Sequence, residues 1–369
     1  MAGVATRFDV DVCIFCVKES NTNEDQTLIV TAWRDGFGRV FRAPAVLVSV
    51  FGVTLLAALP LALALRGMIE AHLGRSIVAG AVADGMDYNW WQEFTSQTSG
   101  LSESFSPVII GFASTLGNIS GLIDGQREVF PVAAALSVYL LAWTFLSGGI
   151  LDRYARQRPT RAHGFFAAAG LFFWRFLRLG VVAGTAYWFL FSYVHTWLFD
   201  DAYTRLTRDV TTERAAFFWR TILYAWFGAA LVVVNLVFDY ARIRMVVEDR
   251  RSAIGTLAAA LSFVKRCPSR VVGLYALNGL TFLLLLLLWA LLAPDTTGMG
   301  LSMWLAVAGT QLFLLVRLLL KLQFVASQTA LFQRSLAHAS YTAAPEPRWP
   351  ESPAAEAIVT GPQRPSYIP

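Results

Sequence analysis

The chain has 369 residues, of which 56% are hydrophobic and only 15% are charged, and its mean hydropathy is +0.52. Soluble domains carry about 25% charged residues, so this composition favours a membrane protein. The formal net charge of +5 is compatible with a nucleic-acid partner. Basic residues of membrane proteins, however, gather on the cytoplasmic side, so nucleic-acid binding is not expected. Three cysteines are too few for a disulfide framework.

Residues 1–30 are predicted to form a flexible N-terminal extension. They lack a basic start followed by an apolar stretch, so no cleavable signal peptide is expected. The phrase "FDVDVCIF" alternates like a strand, but no second strand is predicted to pair with it. Cys13 and Cys16 form an isolated C-x-x-C that lacks both the further ligands of a zinc site and the βαβ context of a thioredoxin-like site.

Six apolar segments follow, each about as long as a helix that crosses a hydrocarbon layer roughly 30 Å thick. They are 44–65, 131–151, 177–199, 217–238, 270–293 and 301–325. Backbone polar groups inside lipid must be satisfied within the segment, so these spans are expected to be helices. The sequence therefore predicts an all-α integral membrane protein with six transmembrane helices in a membrane domain covering 31–336.

Lysine and arginine are distributed unevenly between the two sides of these spans. The segments before the first, third and fifth spans carry five, six and seven of them, whereas the segments on the other side carry three, four and none. Because basic residues favour the cytoplasmic side, both termini are predicted to be cytoplasmic. The expected location is the inner membrane of a bacterium.

Similar phrases precede the odd-numbered spans: "FGRVFRAP" at 37–44, "FWRFLRLG" at 173–180 and "FVKRCPSR" at 263–270. Each follows an amphipathic stretch, as expected of a helix in the headgroup layer. The predicted fold is therefore three parallel repeats, each an interfacial elbow helix followed by a two-helix hairpin. The basic residues predicted to contact headgroups are Arg39, Arg42, Arg175, Arg178, Lys265 and Arg266. The expected partners are membrane lipids with anionic headgroups on the cytoplasmic side, together with a membrane-protein partner or a second copy of the chain.

The first hairpin is about 50 residues longer than the others, and the additional residues lie in 66–130. A connection of this length is predicted to be a small periplasmic helical insertion over the outer ends of the bundle. Trp90, Trp91 and Phe94 are expected to be interfacial anchors rather than groups that stack on a ligand. The proline-rich residues 337–369 are predicted to be a disordered cytoplasmic tail.

Polar residues inside the spans are the best functional candidates. They are Asp152, Asn235, Asp239, Asn278, Arg317 and Lys321. Arg317 and Lys321 share one helix face, and a lone arginine at this depth costs about 3 kcal/mol, so both side chains should face protein. We expect them to pair with the two aspartates as a clamp between hairpins. A ligand or ion site built from the same residues, and simple snorkelling toward the headgroups, are the alternatives.

The phrase "FVKRCPSR" and the preceding "VVEDRRSAIGTLAAAL" resemble a broad group of bacterial multi-pass inner-membrane proteins. They are also similar to the membrane domain attached to some glycerophosphodiester phosphodiesterases, and the resemblance covers about 31–336. In those enzymes a separate soluble barrel with metal-binding carboxylates carries out catalysis. This chain has no room for such a barrel, so the resemblance implies a fold and no activity.

The sequence shows no phosphate loop, nucleophile elbow or paired-carboxylate signature, and no catalytic, metal or cofactor site is predicted. The first expectation is therefore a non-enzymatic inner-membrane protein that binds lipid or a membrane partner through its helical bundle. A transporter or channel-like protein for a small anionic or amphipathic solute is the alternative. A membrane-embedded enzyme acting on lipid headgroups is the second alternative.

Overall fold

The computed structural model of the chain describes residues 22–74, 76–84, 87–104, 120–121, 124, 130–157, 159–293 and 300–338. Within these ranges the structure is helical and has no strands. The strand-like phrase near the N-terminus, Cys13 and Cys16 lie outside the described residues, as does the predicted tail beyond His338.

Among the described residues, six helices are long and apolar enough to cross a membrane, which confirms the predicted number of spans. In chain order the helices are α1 Thr22–Phe41, α2 Pro44–Leu73, α3 Ala79–Asp84, α4 Tyr88–Gln97, α5 Phe130–Arg156, α6 Ala162–Thr207, α7 Glu213–Val247, α8 Ala253–Arg266, α9 Pro268–Leu292 and α10 Leu301–His338. The six apolar helices are α2, α5, α6, α7, α9 and α10, and they form three consecutive pairs. The four shorter helices lie before or between them.

Local sequence explains where several helices begin and end. Proline occupies the first position of both α2 and α9, where its fixed φ suits a helix and its missing N–H costs nothing. Asp87 caps α4 by accepting hydrogen bonds from the backbone N–H groups of Asn89 and Trp90. Just beyond its C-terminus, α5 is followed by Gln157 with φ +53°, a left-handed residue of the kind that stops helices.

Two of the three predicted elbow phrases begin in a separate short helix, and the other phrase does not. Helices α1 and α8 directly precede α2 and α9, whereas residues 173–180 lie inside the unbroken helix α6. The physical reason is proline. The first and third phrases contain Pro44 and Pro268, which interrupt helical hydrogen bonding, and the second phrase contains none. The expected separate elbow at 173–180 is therefore wrong, and the threefold repeat stays a prediction.

The N-terminal boundary also differs from the expectation. Helix α1 begins at Thr22, so residues 22–30 belong to an ordered helix and not to a flexible extension. Asp25 in this part is 6% exposed, and Ala32, about two turns later, is fully buried.

Buried side chains concentrate at one end of the bundle. Three of the four buried clusters lie where α1 and α8 cross the long helices, and we call this the α1 end. They are centred on Phe176, Tyr240 and Phe332, on Val50, Tyr154 and Leu322, and on Ala32, Leu274 and Leu331. The fourth cluster, around Leu198 and Phe227, lies within the α6–α7 pair near its opposite end. Among the described residues, contacts between different helix pairs are therefore concentrated at the α1 end.

The opposite end, which we call the insertion end, carries α3 and α4. Helix α2 extends to Leu73 at this end. Helix α4 packs against it there, and Trp90 Nε1 donates a hydrogen bond to His72 Nδ1 at 3.1 Å. The rings of Trp90 and Phe94 stack 5.3 Å apart, and both residues are buried. Their expected role as interfacial anchors is therefore wrong, because they form the small core of the insertion.

Candidate functional site

Asn235 and Asp239 lie one turn apart on α7 and are brought together as predicted by their spacing. Asn235 Nδ2 donates to Asp239 Oδ2 at 3.3 Å and to the Tyr275 hydroxyl on α9 at 2.6 Å. The other oxygen of Asp239 lies 3.8 Å from Arg242 Nη1. We call these four residues the Asp239 cluster. It joins the α6–α7 pair to the α9–α10 pair through one asparagine.

Asn278 is three residues beyond Tyr275 on α9, but it serves a different contact. Its Nδ2 donates to Ser327 Oγ on α10 at 3.0 Å, and both residues are buried. Gly36 of α1 lies against the same serine, because a Cβ at Gly36 would come within 2.8 Å of Ser327 Cβ. Asn278 therefore bonds to α10 at a point where α1 also packs closely against α10. Tyr275 lies three residues before Asn278 and so on the same face of α9. This spacing is the sequence signal that could have identified Tyr275 as a site residue.

The expected clamp between α10 and the two aspartates does not have the predicted partners. Asp152 Oδ1 accepts from Arg156 Nε at 2.8 Å, one turn along its own helix α5. Lys321 Nζ lies instead 3.6 Å from the centroid of the Trp143 ring and 5.5 Å from that of Tyr139, both on α5. Asp152 pairs with Arg156 because a residue one turn away in the same helix is within reach. Lys321 lies against Trp143 because an ammonium group is attracted by an aromatic face. Arg317 is half-buried one turn before Lys321.

Arg39, which was predicted to contact headgroups, is only 5% exposed and bonds to two other helices as well as to its own. Its Nη1 donates to the Tyr154 carbonyl on α5 at 2.9 Å and to Gln333 Oε1 on α10 at 2.8 Å. Its Nη2 donates to Asp35 Oδ2 at 3.1 Å. Burial lowers the pKa of Arg39, and the Asp35 carboxylate opposes this shift. The guanidinium group nevertheless remains charged, because the pKa of arginine is very high.

A cleft beside Arg39 collects further basic groups. It is lined by Arg39, Arg42, Arg153, Tyr154 and Gln157 and has an empty volume of about 210 Å³, including its open mouth. Arg153 Nη2 donates to the Arg42 carbonyl at 3.1 Å. The Nε of Arg39 and the hydroxyl of Tyr154 are buried and have no hydrogen-bond partner among the described residues. We call this the basic cleft.

The basic cleft is suited to an oxyanion. Three arginines line it, and one of them, Arg39, pairs with the Asp35 carboxylate. Arginine donates in a planar fork that matches phosphate and carboxylate oxygens. The sequence singled out Arg39 and Arg42 but missed Arg153, because one more basic residue at the end of an apolar segment gives no signal of its own.

The other four predicted headgroup residues divide into two kinds. Arg175 Nη1 donates to Asp249 Oδ1 at 2.5 Å, and its guanidinium lies over the Phe172 ring at 5.2 Å. That contact ties α6 to the segment after α7. The remaining residues are exposed, and these are Arg178, Lys265 and Arg266.

No protein-family model, no curated protein and no solved structure matches this chain. What the site can do therefore has to be argued from its geometry.

Proposed function

We propose that the chain is a non-enzymatic integral protein of the bacterial inner membrane that binds anionic lipid headgroups at its α1 end. The observation that supports this most directly is the basic cleft, where three arginines converge on one opening. Two of its donors, Arg39 Nε and the Tyr154 hydroxyl, are buried and unpartnered within the described part of the chain. A phosphate oxygen in the cleft would supply the acceptors that these groups lack.

The position of the cleft along the helices agrees with a headgroup. Arg42 lies two residues before the first residue of α2, and Arg153 lies three residues before the last residue of α5. Both are therefore at the ends of apolar helices, where headgroup phosphates lie. Each lysine or arginine near an anionic membrane surface contributes about 1 kcal/mol of attraction. The exposed residues Arg178, Lys265 and Arg266 add to the same surface charge.

The same charge pattern supports the orientation. The three segments richest in lysine and arginine include α1, the start of α6, and the segment from the end of α7 through α8, all of which lie at the α1 end. By the distribution of basic residues, that end and both termini face the cytoplasm in this proposal.

The test is lipid retention in native mass spectrometry of the detergent-purified chain with added phosphatidylglycerol or phosphatidylcholine. The double substitution Arg42→Gln and Arg153→Gln should remove one retained phosphatidylglycerol and weaken binding about tenfold, the effect of losing charge-assisted hydrogen bonds. Arg34→Gln is the matched control, because Arg34 is exposed on another face of α1. Equal retention by the double variant and the control would reject the proposal.

Transport of a small anionic or amphipathic solute is a second candidate, favoured by the distribution of the core. Contacts between helix pairs concentrate at the α1 end, so the pairs have room to diverge toward the insertion end. The Asp239 cluster lies on the boundary between two pairs. A single cysteine, Asn235→Cys in a chain whose native cysteines are replaced, tests this in proteoliposomes. Labelling by a membrane-impermeant maleimide from both sides, in different conditions, supports transport, and labelling from one side only rejects it.

A further inference from the structure

We propose a second anion site, between α5 and α10, at which Lys321 binds the head group of an anionic amphipathic lipid. The site goes beyond the proposed function, because it lies at a different place from the basic cleft and is built from different residues. The ligand class is a phosphate or carboxylate attached to an acyl chain.

The first observation is how Lys321 is held. Its ammonium group lies 3.6 Å from the Trp143 ring centroid and 5.5 Å from that of Tyr139, so two rings one turn apart on α5 fix its position. Aromatic faces attract an ammonium group without neutralising it. Lys321 as a residue is nevertheless exposed, so a ligand could reach it from outside the protein.

The second observation is the local charge. Arg242 and Arg317 are both close enough to act electrostatically on Lys321, so the surroundings of its ammonium group are positively charged. Neither aspartate that was expected to pair with Lys321 does so, since Asp152 pairs with Arg156 and Asp239 with Arg242. In the described part of the chain, no carboxylate lies within 4.0 Å of Lys321. Positive charge inside a membrane bundle is costly, and an anion from outside the chain would offset it.

The third observation identifies the anion as part of an amphipathic molecule. Lys321 is twenty residues after Leu301, which places it about 30 Å along α10, the thickness of a hydrocarbon layer. The same helical faces continue toward the insertion end with Leu136 on α5 and Val307 and Met303 on α10, which are 48%, 46% and 43% exposed. A lipid could place its head at Lys321 and its chain along this apolar strip. A free anion would leave the strip uncovered.

The experiment compares Lys321→Gln with Arg34→Gln, at an exposed position of α1, in native mass spectrometry with phosphatidylglycerol, oleate or inorganic phosphate. Lys321→Gln should lose one retained lipid and bind it about tenfold more weakly, while Lys321→Arg and Arg34→Gln retain it. The double substitution in the basic cleft should lose a different lipid, so the two sites can fail independently. Equal lipid retention by Lys321→Gln and Arg34→Gln overturns the inference. Displacement of the lipid by inorganic phosphate alone also overturns it, because the site would then take a free anion.

Photolabelling of the unmodified chain keeps the inference testable if Lys321→Gln does not fold. A phosphatidylglycerol with a photoreactive group beside its glycerol should label peptides containing Tyr139–Trp143 or 317–321. Labelling confined to other peptides, including those of the basic cleft, would contradict a head group at Lys321.

Discussion

Helices α1 and α8 occupy comparable places, since each directly precedes a long apolar helix that begins with proline, yet they are held by different forces. Helix α1 is fixed by charged and polar contacts to distant parts of the chain. Arg39 reaches α5 and α10, and Asp25 accepts from Ser269 Oγ at 2.7 Å and from Arg270 Nε at 2.6 Å at the start of α9.

Helix α8 is held mainly by apolar packing and by residues close to it in sequence. Phe263 lies 5.2 Å from the Tyr240 ring and 5.1 Å from the Phe332 ring, measured between centroids. Ser252 caps the helix by accepting from the Gly255 N–H, and Arg244 donates to the Ala259 carbonyl. The comparison indicates that single charged residues add long-range ion pairs and hydrogen bonds to the packing of α1, whereas α8 depends on many small contributions.

The largest expected effect is that of Arg39→Ala on α1. The substitution removes the hydrogen bonds that Arg39 donates to Asp35, Gln333 and the Tyr154 carbonyl and opens space between three helices, so unfolding should become easier by about 3 kcal/mol. Thermal unfolding in detergent measures the loss, and hydrogen exchange should show α1 opening before α8. Arg34→Ala, at an exposed position of the same helix, should change stability by less than about 0.5 kcal/mol. Similar shifts for both variants would contradict the role assigned to Arg39.

The next largest effect concerns two glycines of α1, for which substitution by alanine should change the stability in opposite directions. A Cβ at Gly36 would lie 2.8 Å from Ser327 Cβ and 2.9 Å from its backbone nitrogen, whereas a Cβ at Gly38 meets nothing within 4 Å. Gly36→Ala should therefore destabilise the chain by about 1–2 kcal/mol through overpacking. Gly38→Ala should stabilise it by up to about 1 kcal/mol, because alanine is the better helix former. Melting temperatures that move in the same direction would show that α1 does not pack on Ser327 as described.

On the α8 side, loss of the cap should have a smaller and local effect. Ser252→Ala removes the side-chain acceptor for the Gly255 N–H, which typically costs about 1 kcal/mol. Ser262→Ala is the control, because that hydroxyl only returns to the Ala258 carbonyl on an exposed face. Hydrogen exchange in the first turn of α8 should rise for the first variant and not for the second. An equal rise in α1 would mean that the two helices are not held independently.

The fold could be predicted where one local pattern was sufficient. Six apolar runs gave six long helices, and the prolines at 44 and 268 separated α1 and α8 from the spans that follow. The phrase at 173–180 had the same composition of aromatic and basic residues but no proline, so its helix continues. Composition alone therefore predicted one break too many.

The candidate site could be predicted within a helix but not between helices. Asn235 and Asp239 meet because they are four residues apart, and the same rule explains why Asp152 pairs with Arg156. Which helix faces Lys321 is a matter of packing, and the sequence offered a carboxylate where the structure has Trp143. Arg39 shows the same limit. A basic residue near a helix end is predicted from sequence to face lipid, whereas the three acceptors of Arg39 are known only from the structure.

The smallest expected effect is the pH dependence of the contact between α1 and α9 at Asp25. Burial by itself raises the pKa of this carboxyl group, but the hydrogen bonds from Ser269 and Arg270 and the charge of Arg270 outweigh it, so the pKa lies below its ordinary value of 3.8. A lowered pKa means that the folded state binds the proton less well than the unfolded state. The stabilisation is therefore present above pH 3.8 and is lost as the pH falls through the lower folded pKa. Other carboxylates titrate in the same range, so the measurement is the difference in melting temperature between the native chain and Asp25→Asn. That difference should be constant near neutral pH and shrink on acidification below about pH 4. A difference that grew on acidification would mean that Arg270 does not stabilise the charged carboxylate and that α1 is held at this end by packing, as α8 is.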